Sequence, residues 1–121
     1  MSDQADITTE SDLLPLNWEH LHEISDGDPE FEVELLQMFV EDAQIHVDAV
    51  KEALDNHDFQ KLGREAHHLK GASANVGATP MQLAAQELEQ KVHQQQLEGS
   101  HNLVAQLETF INSIQAYLNN Q

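Results

Sequence analysis

Cysteine is absent from the sequence, which removes disulfides, thiolate zinc sites and cysteine nucleophiles together. Positive charge is scarce: 5 Lys+Arg stand against 22 Asp+Glu, a formal net charge of −17. A binder of phosphate backbones or anionic membranes would work against that field, so neither nucleic acid nor membrane is an expected partner. No run approaches the roughly 20 apolar residues of a membrane span. The opening Met-Ser-Asp-Gln-Ala-Asp has neither the basic nor the apolar region of a signal peptide, and a cytoplasmic location is expected. Strand-like alternation is missing throughout, as are the glycine-rich loops that cradle nucleotides.

What remains is a chain of 121 residues with 40% hydrophobic residues, enough for one domain with a real core. Its acidity is lopsided. Up to Asp58 there are 17 acids and one base, net −16; from Phe59 onward there are 5 acids and 4 bases, net −1. Residues 1–14 carry only Ile7, Leu13 and Leu14 as bulky apolar groups, too few to offset ordering entropy, so a flexible acidic tail is expected ahead of a domain over residues 15–121.

Helix signals then follow in series. Asn17 can cap a short helix carrying Trp18, Leu21 and Ile24, ended by Ser25-Asp26-Gly27. Asp28-Pro29 is a cap followed by proline at the first helical position, with Glu30, Glu32 and Glu34 near the positive helix end. The second helix places Phe31, Leu35, Met38, Phe39, Ala43, Val47, Val50 and Leu54 on one stripe and runs to about Asn56. Asp58 caps a third, with Phe59, Leu62, Ala66, Leu69, Ser73 and Val76 inward and Gly77 as its stop. Thr79-Pro80-Met81-Gln82 reads as a capping box opening a fourth, with Met81, Leu83, Ala84, Leu88 and Val92 inward. Gly99-Ser100 gives a stop and a new cap before a fifth, with Leu103, Leu107, Phe110, Ile114 and Tyr117 or Leu118 inward. Met38 and Met81 read as core filler, and Ser73 and Asn75 as polar residues at a helix end. Four long helices with links of about two to four residues must alternate in direction. The expected fold is all-α: an antiparallel up-down-up-down four-helix bundle with a short additional N-terminal helix over one end.

The third helix carries the chemistry. At 100° per residue, Gly63, Arg64, His67, Lys70, Gly71 and Ala74 fall within about 60° of His67, away from the apolar stripe. Each glycine costs the helix about 1 kcal/mol relative to alanine. Two such losses beside one histidine point to a need for close access, and Arg64 and Lys70 add positive charge suited to an anion formed at the ring.

Ala66-His67-His68-Leu69-Lys70-Gly71, with Gly77 ten residues after His67, resembles the signature of histidine-containing phosphotransfer (HPt) domains, helical bundles of phosphorelays. The resemblance spans nearly the whole chain. It implies that His67 accepts a phosphoryl group from a receiver-domain aspartate and passes it on. It implies that Lys70 is the basic residue beside the phosphoryl group, that Gly71 and Gly77 are the family's glycines, and that Glu89, 22 residues beyond His67, hydrogen-bonds the ring. Gly63 is read as a further small residue of the site and Arg64 as a docking or charge residue. The implied partners are response-regulator receiver domains and a hybrid sensor histidine kinase. The implied chain is a phosphocarrier without kinase activity of its own, with no cofactor here and magnesium on the receiver. A monomer is expected, and Met1 with the tail favours a free-standing protein over a module of a larger kinase. His68 is exposed on the wheel as well, but its third following residue is Gly71 rather than Lys70.

Two other readings stand beside this one. Glu19-x-x-His22 and Glu65-x-x-His68 match the Glu-x-x-His spacing of di-iron bundles, although 22 acids and 8 histidines make chance matches common. The other is a degenerate module that docks on receivers without carrying phosphate, against which the retained histidine, lysine and glycines argue.

Overall fold

The computed structural model describes residues 16–121; the acidic segment 1–14 lies outside the described residues. Five helices follow one another: α1 (Trp18–Ser25), α2 (Pro29–Asp55), α3 (Phe59–Asn75), α4 (Thr79–His93) and α5 (Ser100–Asn119). Three begin where side-chain chemistry requires. Asn17 accepts from the His20 N–H, Asp28 from those of Glu30 and Phe31, and Asp58 from that of Lys61, each taking a donor the helix cannot satisfy.

Each of α2 to α5 packs on its sequence neighbour, and α5 closes the ring against α2. Short links force antiparallel neighbours, so the bundle is up-down-up-down. Leu36, Val47, Val50, Leu62, Leu69, Met81, Leu88, Leu107, Ile111 and Ile114 fill the interior. α1 lies over the end where α2 begins and α3 stops. The Asn17 N–H donates to Gly77 O at 2.7 Å, Trp18 meets Tyr117 edge-on at 5.6 Å, and Leu21 is fully buried.

Two expected caps are not formed. Thr79 lies inside the first turn of α4, whose N-cap is Ala78 with no side-chain bond. The turn after α3 decides this: the Gly77 N–H donates to Ala74 O and that of Ala78 to Ser73 O, which buries Ala78 and starts the next helix one residue early. Gly99, at φ +84°, takes the N-cap of α5, and Ser100 is buried just behind it with its hydroxyl unpartnered among the described residues.

The expected stripe of α2 is also rotated in its first half. Leu36 and Val40 are buried, whereas Phe31 and Met38 are exposed, so Met38 is not core filler. A polar junction sets the rotation: buried Glu32 accepts from Ser25 Oγ at 2.9 Å and pairs with His22 Nδ1, tying α1 to α2. In α4 Leu83 is exposed and Ala85 takes its inward place, while α5 turns Leu118 inward and leaves Tyr117 half-buried. Ser73, expected on the inward stripe near the end of α3, is fully buried there, its hydroxyl unpartnered among the described residues.

Gly77 shows why α3 must end in glycine. Its φ is +75°, and an added Cβ would meet Asn17 O at 3.1 Å and Asn17 Cβ at 3.2 Å. Gly77→Ala is therefore expected to destabilise the fold by about 1–3 kcal/mol in chemical denaturation. Gly71 faces open space. Gly71→Ala is expected to leave stability unchanged or raise it by up to about 1 kcal/mol.

Candidate functional site

His67 stands near the middle of α3 with 70% of its side chain exposed. Its Nδ1 lies 2.9 Å from Glu89 Oε2 on α4. A carboxylate only accepts, so Nδ1 carries the proton, and Nε2 keeps its lone pair at the surface. The other oxygen, Glu89 Oε1, accepts from Lys70 Nζ at 2.7 Å. One carboxylate thus joins the imidazole and the ammonium across the α3–α4 contact. That contact depends on Leu62, Ala66, Leu69, Ala85 and Leu88 packing inward, which holds residues 67 and 89 at the outer seam.

The Glu89 carboxyl is held below its ordinary value of 4.5, first by the Lys70 hydrogen bond and then, against a smaller effect of burial, by the His67 hydrogen bond. A depressed folded-state value gives stability that is complete above the unfolded value and is lost as pH falls through the folded one. Wild type is therefore expected to exceed Glu89→Gln in stability at pH 7, and the gap should shrink below pH 4.5, as urea titrations at several pH values would read.

The remaining residues of the expected site divide. Arg64 is exposed and makes no ion pair among the described residues. Gly71 leaves the surface beside His67 bare, and an added Cβ at Gly63 would make an ordinary contact with Val92 Cγ1 at 3.4 Å across the α3–α4 interface. Lys70 is turned onto Glu89 and does not stand free beside Nε2. His68, the neighbour in sequence, is committed elsewhere: its Nε2 donates to Asp42 Oδ2 on α2 at 2.7 Å, and its ring stacks on His46 at 3.7 Å.

The inward metal set of a di-iron bundle is not built from the two Glu-x-x-His matches. Glu19 is exposed and His22 pairs with Glu32, while Glu65 contacts His46 and His68 contacts Asp42 at the surface of α2 and α3. Asp42 and His46 were not foreseen as partners of Glu65 and His68. The Asp42/His46 spacing of four residues was the available signal, but only the packing of α2 on α3 brings it to His68.

A surface histidine whose inner nitrogen is anchored by a carboxylate, on the outer seam of a helical bundle, is the arrangement of a histidine phosphocarrier. A family model for the Hpt domain matches residues 34–117, and the chain belongs to that family of phosphocarriers. Histidine-containing phosphotransfer protein 2 of Arabidopsis thaliana is 41% identical over 56 residues, 44% of this chain but 36% of that protein. The crystal structure of histidine-containing phosphotransfer protein B from Pseudomonas aeruginosa superposes with a TM-score of 0.79 at 26% identity, covering 87% of this chain and 91% of that one. The HPT domain of a sensor hybrid histidine kinase from Shewanella has the same fold, with a TM-score of 0.73 at 23% identity over 88% and 96% of the two chains. Among the described residues no helix is long and apolar enough to cross a membrane.

Proposed function

We propose that this chain is a phosphorelay intermediate in which His67 is the phosphoacceptor. The observation that carries the reading is the His67–Glu89 hydrogen bond, which leaves Nε2 as an exposed nucleophile. The Nε2 lone pair attacks the phosphorus of a receiver's aspartyl phosphate; the N–P bond forms as the acyl P–O bond breaks, and the aspartate leaves as a carboxylate. The ring becomes cationic, and its Nδ1–H donates to Glu89 throughout, so the carboxylate stabilises the charge that develops. The reverse step delivers the phosphoryl group to the aspartate of a second receiver. Positioning and electrostatics suffice for such a transfer, and the chain has no need of kinase activity of its own. The magnesium ion that neutralises phosphoryl oxygens belongs on the receiver in this scheme.

Receiver domains, including that of a hybrid kinase, are the proposed partners. Met38 and Ile45, each 66% exposed on α2, support an apolar part to the contact. They flank Asp42 at −4 and +3, and Asp42 bonds the residue after His67. Lys61 is paired with Glu52 and Lys70 with Glu89, so among the described residues Arg64 is the cation of α3 without an ion pair, placed one turn before His67 where it favours approach to a cluster of receiver aspartates.

Incubation with a panel of phosphorylated receivers, scored for acid-labile label on the chain, tests the reading; labelling by none of them would contradict it. In the same assay Lys70→Glu is expected to slow transfer at least about tenfold, because it faces Glu89 with a second carboxylate, and Lys91→Glu by less than about twofold. Equal effects would show that net charge governs recognition, not the α3 patch.

A further inference from the structure

We propose that Asp42, His46 and His68 form a surface site for one divalent transition-metal ion of the zinc class, clamped between α2 and α3. One donor atom from each of the three lies within 4.8 Å of the others. Asp42 and His46 are one turn apart on α2, the spacing that puts two ligating side chains on one helical face, with His46 Nε2 3.4 Å from Asp42 Oδ1. His68 reaches the same carboxylate from α3, its Nε2 2.7 Å from Oδ2. The two imidazoles stack with centroids 3.7 Å apart at 28°, so both Nε2 edges converge on one aspartate.

Glu65 supplies the second observation. Its Oε1 lies 2.5 Å from His46 Nδ1. Nδ1 therefore donates to Glu65, and in the neutral ring Nε2, the nitrogen facing Asp42, keeps its lone pair. A carboxylate behind a histidine in this way fixes the ring and raises its basicity as a ligand. Neither Asp42 nor Glu65 has a Lys or Arg nitrogen in direct ion-pair contact among the described residues, so no lysine or arginine occupies the place between the three donors.

The proton balance is simple. An incoming ion takes the lone pair of His46 Nε2 and one Asp42 oxygen. It also takes His68 Nε2, whose ring moves its proton to Nδ1 or releases it to solvent. Tetrahedral zinc has bonds of about 2.0–2.1 Å and needs donors about 3.3 Å apart, so the two rings must open from their stacked arrangement until both lone pairs point at one ion. Water completes the shell, since the His46, Asp42 and His68 side chains are 24%, 42% and 43% exposed. Two imidazoles with one carboxylate select zinc, nickel or copper over magnesium or calcium, which prefer oxygen ligands throughout. His67 takes no part, its Nδ1 being held by Glu89, so the site is independent of the phosphotransfer reading.

Calorimetric titration of the full chain with zinc chloride, in a buffer that does not chelate, tests this directly. The expected result is one equivalent bound, weakened at least about tenfold by His46→Gln or by His68→Gln and unchanged by His22→Gln or His57→Gln. Cobalt(II) should develop a visible ligand-field band with the wild type and not with the His46→Gln/His68→Gln double variant. Zinc should raise the Tm of the wild type alone, since the ion ties α2 to α3. No stoichiometric binding, or binding that survives the double variant, would overturn the proposal.

Discussion

His67→Gln is expected to abolish acceptance of phosphoryl from a phosphorylated receiver, a loss of about three orders of magnitude or more, because no other nitrogen occupies its place. Glutamine keeps the bulk and the polarity of the position but has no lone pair able to form the N–P bond. The exposed surface of α3 makes loss of folding an implausible cause, and circular dichroism of the variant should match wild type. His68→Ala should retain most acceptance. His68 sits one residue away yet donates its Nε2–H to Asp42, so the nitrogen that would attack is occupied. Acceptance lost in His68→Ala and kept in His67→Gln would reverse the assignment.

The second large effect belongs to Glu89. Glu89→Leu removes the acceptor on His67 Nδ1 and the partner of Lys70 Nζ together. The ring is then free to rotate and to place its proton on Nε2, which blocks attack, and transfer is expected to slow about 100-fold in rapid-quench assays. Glu89→Gln keeps a carbonyl oxygen facing Nδ1 and should stay within about tenfold of wild type. A structural role alone would harm both variants alike, so the separation between them is the informative readout. Leu and Gln variants of equal activity would remove Glu89 from the mechanism.

Much of this architecture was legible in the residues. Asn17, Asp28 and Asp58 act as caps because a short polar side chain reaches a backbone N–H two or three residues on, an interaction wholly local in sequence. Thr79 and Ser100 carry the same chemistry and fail because the preceding turn decides where the next helix begins. At Ala78 burial and the bond to Ser73 O outweigh the pull of the Thr79 hydroxyl. The inward stripe of α2 was legible from Ala43 to Leu54 but not near Met38, where the burial of Glu32 against Ser25 and His22 turns the helix. That turn is set by α1, a partner no periodicity within α2 can reveal.

The site divides along the same line. His67, Lys70 and Gly71 share one helix, so spacing alone relates them. Glu89 came from the family resemblance, and the geometry at 2.9 Å accords with it because the α3–α4 link is short and fixed by Gly77. Gly63 also faces Val92 across the interface, a contact no helical wheel of α3 contains. Asp42 and His46 lay outside the sequence reading for the same reason, and Glu65 entered it only through the Glu65-x-x-His68 spacing. The lopsided charge is sharpened by the pairing: Lys61 and Lys70 are engaged by Glu52 and Glu89, which leaves Arg64 as the unpaired cation of α3 among the described residues.

Phosphorus-31 NMR of the chain labelled by a phosphorylated receiver, with the ring nitrogen identified by coupling to nitrogen-15 histidine, locates the phosphoryl group to a single nitrogen. The account requires a single phosphohistidine at His67, with phosphorus on Nε2 and a proton retained on Nδ1. Phosphorus on Nδ1 of His67, or on either nitrogen of His68, would contradict it.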